Sequence, residues 1–392
     1  MVAPESLPLP MVEMQAVANA GNQWVALILR IGAGAGDPTT AWHARFDTPD
    51  LLAAVAPLDC VLLIDTPAIL TPALLDRMPP NRVQFVVAAD ALADQAASRY
   101  LAALQEEGYR ILIDGAAPAG VAIPPTLRAV SRDCSDSALA APGALLALFG
   151  PHLARGVDTV DRLEQCAKAG FNWFSGEYPI HPAPSSDPRD GSSRKRLLGL
   201  LRLVAADADT RELEALLRQD PALSFQLMKL ANSAAFSRGT PITSFAQSIG
   251  VLGRRQLQRW LQLLLYARQR ADGPPNPLLP VAALRAAQME SLCKQTGGER
   301  DAQDLAFMVG VFSLLDVLLD IPMQEIVAAQ NMAPDTAAAL QERSGPLGRM
   351  LKLVETPAPT LAALQDAGIA PDRWWRSQLH AFHWAIQVSR NL

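Results

Sequence analysis

Few of the residues in this chain that could do chemistry come in working sets. Asp114 closes the β-rich run YRILID and is followed by GAAPAG; a carboxylate at a strand end can contact a ligand, although capping the following turn is its commoner use. Gly32, Gly34 and Gly36 form GAGAG after the run VALILRI. Their spacing is not GxGxxG, and Asp37-Pro38-Thr39-Thr40 follows instead of an apolar helix, which favours a flexible loop over a dinucleotide cradle. His380 and His383 stand at i, i+3, a spacing that puts two metal ligands on one helix face. No third ligand accompanies them, and Trp374, Trp375, Phe382 and Trp384 nearby favour a terminal helix that packs its aromatic side onto a bundle. Ser175 and Ser313 have no histidine neighbour in sequence, so neither reads as a nucleophile. Arg254, Arg255 and Arg259, with Arg268 and Arg270, line up cations that suit a phosphate or an acidic partner, against the commoner reading of solvated arginines on an amphipathic helix.

The elements that must position these residues change character at mid-chain. Before residue 181, runs such as VALILRI from Val25, CVLLID from Cys60, VQFVVA from Val83 and YRILID from Tyr109 alternate with helical stretches such as ALADQAASRYLAALQEEG. That alternation predicts a parallel α/β sheet or barrel, with sites at the carboxyl ends of its strands. The segment HPAPSSDPRDGSSRKR, His181 to Arg196, is rich in Pro and Ser and nearly free of apolar residues, as a linker is. After it the chain reads as amphipathic helices punctuated by Pro and Gly. The expected organisation is an α/β domain at 1–184, a linker at 185–196 and an all-helical domain at 197–392.

Composition narrows the function classes. Half of the 392 residues are hydrophobic, enough to bury two cores. Cys60, Cys134, Cys166 and Cys293 are scattered without a CxxC pair and read as reduced, mostly buried thiols. The first basic residue is Arg30, and prolines interrupt Met1 to Met11, so no targeting signal is read. The longest apolar runs fall short of the roughly 20 residues that span a bilayer. A cytoplasmic protein without membrane insertion is expected. The net charge of -5 argues against bulk nucleic-acid binding. The first 188 residues carry 11 Lys and Arg against 20 Asp and Glu, and the rest 23 against 19. Such asymmetry suits domains that attract each other, so the acidic partner of the arginines is expected to be a protein or the chain's own first half.

The stretch ANSAAFSRGTPITSFAQSIGVLGRRQLQRWL, Ala231 to Leu261, resembles the HDOD domain motif, as do MVGVFSLLDVLLDIPMQEIV and GPLGRMLKLVE further on. The likeness covers most of Arg194 to Glu355 and keeps the order and spacing of several short motifs. HDOD domains are similar to HD phosphohydrolases, whose adjacent His and Asp hold a metal that activates water. The corresponding places here are Ser313 and Leu314, and no histidine lies between His181 and His380.

The first half resembles EAL domains more distantly, through FNWFSGEYPIHP at Phe171 to Pro182 and ARGVDTVDRLEQCAKAGF at Ala154 to Phe171. EAL domains are barrel phosphodiesterases that hydrolyse cyclic di-GMP with metals held at strand ends. By that likeness the signature glutamate falls at Ala26, the second-strand asparagine near Ile64, the third-strand glutamate near Val86, the paired aspartates at Asp114 and Gly115, and the glutamate of the Ala-Glu-Gly segment at Arg155. Asp114 alone survives, and Arg155 suits a phosphate or Asp114 itself. The short length implies an incomplete or open barrel.

The two resemblances together imply an EAL-HDOD signalling protein of bacteria: a degenerate EAL-type β/α barrel followed by an HDOD helical bundle. With so many ligand positions changed, the expectation is a chain that is not an enzyme, holds no metal or cofactor, and serves as an adaptor or scaffold for protein partners, with a homodimer as one arrangement. The alternatives are a cyclic dinucleotide receptor that does not hydrolyse, with Asp114 and Arg155 as the ligand contacts, or a residual cyclic di-GMP phosphodiesterase.

Overall fold

Runs of Val, Ile and Leu bounded by Gly, Pro and Asp favour extended chain buried on both faces. Four such runs are strands here: β2 (Trp24–Ile31), β3 (Asp59–Ile64), β4 (Val83–Ala88) and β5 (Arg110–Asp114). β1 (Val12–Asn19) precedes them, and β6 (Ala129–Asp133), β7 (Leu153–Arg155) and β8 (Trp173–Phe174) follow. The computed structural model describes residues 11–32, 37–46, 50–136, 150–182, 209, 212, 254–266, 275–330 and 332–391. The chain divides into two units, Met1–Ala183 with Thr356–Leu379, and Pro184–Glu355 with His380–Leu392.

In the first unit the eight strands close into a barrel in sequence order. β2 through β8 run parallel, while β1 runs antiparallel to both of its neighbours, β2 and β8. The incomplete or open barrel expected from the short chain is thereby corrected. Closure needs only three residues in β7 and two in β8. A tight hairpin returns β1 onto β2: Asn22 takes a φ of 58°, and the Asn19 side-chain oxygen accepts from the backbone N–H groups of Gly21 and Gln23 at 2.9 and 3.0 Å.

The barrel interior is an apolar cluster of Val17, Ala26, Ile28, Val61, Val86, Leu112 and Leu153. Side chains alternate along a strand, so the residue two beyond Leu112 shares its face, as does the residue two beyond Leu153. Those residues are Asp114 and Arg155, at the carboxyl end of the barrel.

Helices α1 (Pro38–Phe46), α2 (Asp50–Ala54), α3 (Pro72–Leu75), α4 (Gln95–Glu106) and α5 (Val160–Ala169) connect the strands. α4 starts at Asp94, whose carboxylate accepts from Ala96 N–H at 2.8 Å. α5 starts at Thr159, whose hydroxyl accepts from Arg162 N–H at 3.2 Å, and stops at Gly170, with a φ of +106°.

The second unit is helical among its described residues: α6 (Arg254–Leu264), α7 (Leu278–Gln295), α8 (Arg300–Phe312), α9 (Leu315–Leu319), α10 (Met323–Gln330), α11 (Pro334–Glu342) and α12 (Gly345–Glu355). α13 (Leu361–Asp366) belongs to the first unit, and α14 (Pro371–Asn391) contributes its first residues there and the remainder to the second. Within the first unit, the guanidinium of the buried Arg45 lies 4.3 Å from the centroid of the Trp375 ring. Burial pushes its pKa down to about 10, opposed by the charge of Asp372. Within the second, the rings of Trp260 and Trp384 meet at 5.0 Å, the aromatic packing expected of the terminal helix.

α7 and α8 cross at Gly310, where an added Cβ would lie 2.6 Å from Ala286 Cα and 2.7 Å from its nitrogen. Both atoms are backbone, so the helices must separate to admit a methyl group. Gly310→Ala is therefore expected to destabilise the helical unit by about 1–3 kcal/mol, despite alanine's better helix propensity. Urea titration followed by circular dichroism checks this; a midpoint equal to wild type would refute it.

No described helix is long and apolar enough to cross a membrane. The HDOD-like stretch from Ala231 to Gly253, the expected linker at 185–196, and Gly34, Gly36, Arg268 and Arg270 lie outside the described residues.

Candidate functional site at the barrel mouth

The polar groups that the strands deliver to the carboxyl end of the barrel centre on Arg155. Its register partner is Asp133 on β6, and Asp114 on β5 stands opposite Ser131. Arg155 Nη2 donates to Asp114 Oδ2 at 2.6 Å, and its Nε donates to the Ser131 hydroxyl at 3.1 Å. The two charged side chains keep 16% and 28% of their surface exposed, so the pair is sheltered but reachable from solvent. A guanidinium held by two partners is oriented before any ligand arrives, which lowers the entropy cost of binding an anion.

Next to this pair, Asp133 Oδ1 accepts from the Ser135 hydroxyl at 2.7 Å and from Ser135 N–H at 3.1 Å. The Ser135 hydroxyl bond is the main reason its carboxyl sits below the usual range, with burial acting in the opposite direction. Two glycines fit the chain around these carboxylates. Gly115 has a φ of +90° directly after Asp114; Gly156 has a φ of +64°, and a Cβ there would come within 2.9 Å of Asp133 Oδ1.

The other sequence-predicted positions fall elsewhere. Ala26 and Val86 lie in the apolar interior cluster below the mouth, and Ile64 is buried at the end of β3. Ser175 is buried and donates to the carbonyl of Ala16 at 2.9 Å. In the helical unit Ser313 is buried, donates to the carbonyl of Gly310 at 2.8 Å and accepts from Arg285 Nη1 at 3.1 Å. Leu314 is buried beside it. Among the described residues, no three His, Cys, Asp or Glu side chains are grouped to hold a metal ion. With the Asp114 carboxylate turned onto a guanidinium, the described mouth does not fit a two-metal clamp.

Of the arginines on α6, Arg254 opens the helix, and its side chain lies outside the described residues. Arg255 and Arg259 both reach Glu290 on α7 and Asp304 on α8; Arg259 Nη2 lies 3.0 Å from Asp304 Oδ1, and Arg255 Nη2 lies 3.7 Å from Glu290 Oε1. Arg259 also stacks over the Phe307 ring at 4.8 Å. Sequence reasoning missed these carboxylate partners, because Glu290 and Asp304 sit in ordinary amphipathic patterns that reveal no pairing. It also missed Arg285 and Arg343, which converge on Glu355 at distances of 2.7–3.0 Å. His380 and His383 stand on α14, in the part that belongs to the helical unit.

The described residues form a closed β/α barrel whose first strand runs antiparallel and a helical unit, and residues 197–319 match the HDOD domain family. Among curated proteins it is similar to the cyclic di-GMP phosphodiesterase CdgJ of Vibrio cholerae, 31% identical over 204 residues, 52% of this chain and 47% of that protein. It is also similar to the uncharacterized protein YuxH of Bacillus subtilis, 25% identical over 206 residues, 52% of this chain and 50% of that one. The chain thus spans about half the length of the curated relatives it matches. Among solved structures, the PaMucR phosphodiesterase in complex with c-di-GMP aligns at 16% identity over 43% of this chain and 94% of that chain, with a TM-score of 0.35. The EAL domain of Mycobacterium smegmatis DcpA aligns at 13% over 42% and 89%, with a TM-score of 0.34.

These findings correct one expectation. The substitutions at Ala26, Ile64, Val86, Gly115, Arg155, Ser313 and Leu314 led to a chain that is not an enzyme; a relative named as a cyclic di-GMP phosphodiesterase overturns that expectation. Counting carboxylates only at family positions leaves out the others near the same end of the barrel. Glu13 lies near the start of the antiparallel β1, Asp65 follows β3, Asp133 ends β6, and Asp158 and Glu177 follow β7 and β8.

Proposed function

We propose that this chain acts in cyclic di-GMP signalling, with the dinucleotide as the ligand of the barrel mouth and Arg155 as the group that takes its phosphate. The observation that carries this reading is the half-sheltered Arg155 guanidinium, oriented by Asp114 and Ser131 at the carboxyl end of the strands. That is where ligands of β/α barrels bind. A phosphate oxygen is a strong acceptor and competes with a single carboxylate oxygen for a fork of five donors. The name of the Vibrio cholerae relative supports the choice of dinucleotide and favours a second reading, in which the bound phosphodiester is also hydrolysed.

The domain boundaries read from the sequence, a barrel at 1–184, a linker at 185–196 and an HDOD domain at 197–392 that relays the signal to a protein partner, go with this reading, with the difference that Thr356–Leu379 groups with the first unit. Of the two α6 arginines whose side chains are described, Arg255 is the better candidate for that contact, since its side chain keeps 41% of its surface exposed against 14% for Arg259.

Calorimetric titration of the full chain with cyclic di-GMP is expected to show saturable binding. Chromatography of the same mixture with Mg2+ or Mn2+ present reads the linear dinucleotide product and decides the second reading. Neither heat at high micromolar ligand nor any linear product would sink both.

A further inference from the structure

Cys134 and Cys166 belong to one buried cluster beside the barrel mouth, together with Val157, Phe171 and Phe174. Cys134 directly follows β6, and Cys166 lies on α5, one turn after Arg162. The Cys134 thiol donates to the Arg132 carbonyl at 3.7 Å, the Cys166 thiol lies in the same cluster, and the Arg162 guanidinium, one turn before Cys166, donates through Nε to the Cys134 carbonyl. We infer that Cys134 and Cys166 form a reversible disulfide when the protein meets a peroxide, which makes the pair an oxidative modification site that ties α5 to the end of β6.

The chemistry of the pair is asymmetric. The neighbouring Cys134 thiol holds the Cys166 thiol below its ordinary pKa; burial opposes this, and Arg162 adds to it. The closeness of Cys166, followed by burial, pushes Cys134 upward. The other two thiols provide an internal contrast: burial raises Cys60 to about 12 and also raises Cys293. All four cysteines are buried free thiols, and Cys166 is the one whose thiol is shifted toward the thiolate, the form that attacks an oxidant.

The steps balance with hydrogen peroxide as the oxidant. The Cys166 thiolate attacks one peroxide oxygen, the O–O bond breaks, and hydroxide leaves and takes up a proton as water. The resulting Cys166 sulfenic acid is attacked at sulfur by Cys134, which loses its proton as a second water departs and the S–S bond forms. Two thiols are oxidised by two electrons and one peroxide is reduced to two waters. Full burial of both cysteines restricts the oxidant to one small enough to enter during local opening.

The position of the pair gives this site a consequence, which rests on the proposed role of Arg155. Cys134 N–H donates to the Arg155 carbonyl at 2.7 Å, so any shift of the β6 end is transmitted to the residue that holds Asp114. Oxidation is therefore expected to change dinucleotide affinity.

The test treats the full chain with hydrogen peroxide, blocks remaining thiols with iodoacetamide, and maps peptides without reduction. A peptide pair linked through Cys134 and Cys166, lighter by two hydrogens and separated by dithiothreitol, is the expected product. It should form at least about ten times faster than Cys60 or Cys293 is oxidised. In Cys134→Ser, Cys166 should instead be trapped by dimedone as a sulfenic acid. Alkylation of both Cys134 and Cys166 after treatment, or oxidation confined to Cys60 and Cys293, would overturn the inference. Peptide mapping of wild-type protein needs no variant to fold, and it reports the disulfide whether or not a dinucleotide binds.

Discussion

Arg155→Ala is expected to weaken cyclic di-GMP binding about 10- to 100-fold while leaving the barrel folded. A hydrogen bond to a charged group contributes about 1.5–3 kcal/mol, and each 1.4 kcal/mol is a factor of ten in affinity. The substitution also leaves the Asp114 carboxylate facing the incoming phosphate without a cation between them, which places the effect toward the upper end. Asp114→Asn separates the two contributions: it removes the competing carboxylate charge but keeps an oxygen for Arg155, so binding should be retained or tightened. Calorimetry on both variants reads the difference, with circular dichroism as the control for folding. Wild-type affinity in Arg155→Ala would place the phosphate somewhere other than β7.

The second large effect lies in the helical unit. Arg285 is 9% exposed, with one ion-pair contact at 3.0 Å to Glu355 and a bond at 3.1 Å to Ser313. Arg343 binds the same carboxylate through Nε at 2.7 Å and Nη2 at 2.8 Å. One carboxylate is thus shared by two guanidiniums, which leaves the trio with a net positive charge. Burial is the main influence lowering the Arg285 pKa, and Glu355 is the main one opposing it. Glu355→Ala removes the shared partner and leaves a buried cation unpaired, a change that costs about 3–5 kcal/mol in fully buried pairs. Glu355 keeps 21% of its side chain exposed, so a value near 3 kcal/mol is expected. Guanidinium chloride unfolding should show a lower midpoint for the helical transition with an unchanged slope. Arg343→Ala, which leaves the Arg285–Glu355 contact in place, should cost markedly less. A loss below about 1 kcal/mol in Glu355→Ala would mean that solvent, not Glu355, satisfies Arg285.

The sequence made β2 through β5 legible because each is a continuous apolar run, buried on both faces. β6, with AVSRD, and β7, with three residues, carry no such signal; closure of the sheet extends them, since neighbouring strands satisfy their backbone groups. At the mouth, Asp114 was legible as a strand-end carboxylate and Arg155 as a charge in an unexpected place, and their pairing was one of two readings. The pairs that Arg255 and Arg259 make with Glu290 and Asp304 were not legible. They depend on the approach of α6 to α7 and α8, and helix periodicity gives a face without its neighbour. The step from changed family positions to missing catalysis failed against a relative named as a phosphodiesterase, because each changed residue reports on one strand end and not on what the whole chain does.

The antiparallel first strand also determines when the barrel can exist. Its seam joins Ala18 to Phe174 and Asn19 to Trp173, and the Ser175 hydroxyl reaches the Ala16 carbonyl across 159 positions. Such a contact is slow to form, because a long loop must be closed before it gains anything. During synthesis, β1 and β2 can pair as soon as they emerge, but the seam waits for β8. Until then β1 presents an unpaired edge, available to any other extended segment nearby. The vulnerable interval of this fold is therefore the time between making β1 and making β8, and conditions that lengthen it, such as slowed translation, should raise aggregation without changing the stability of the finished barrel.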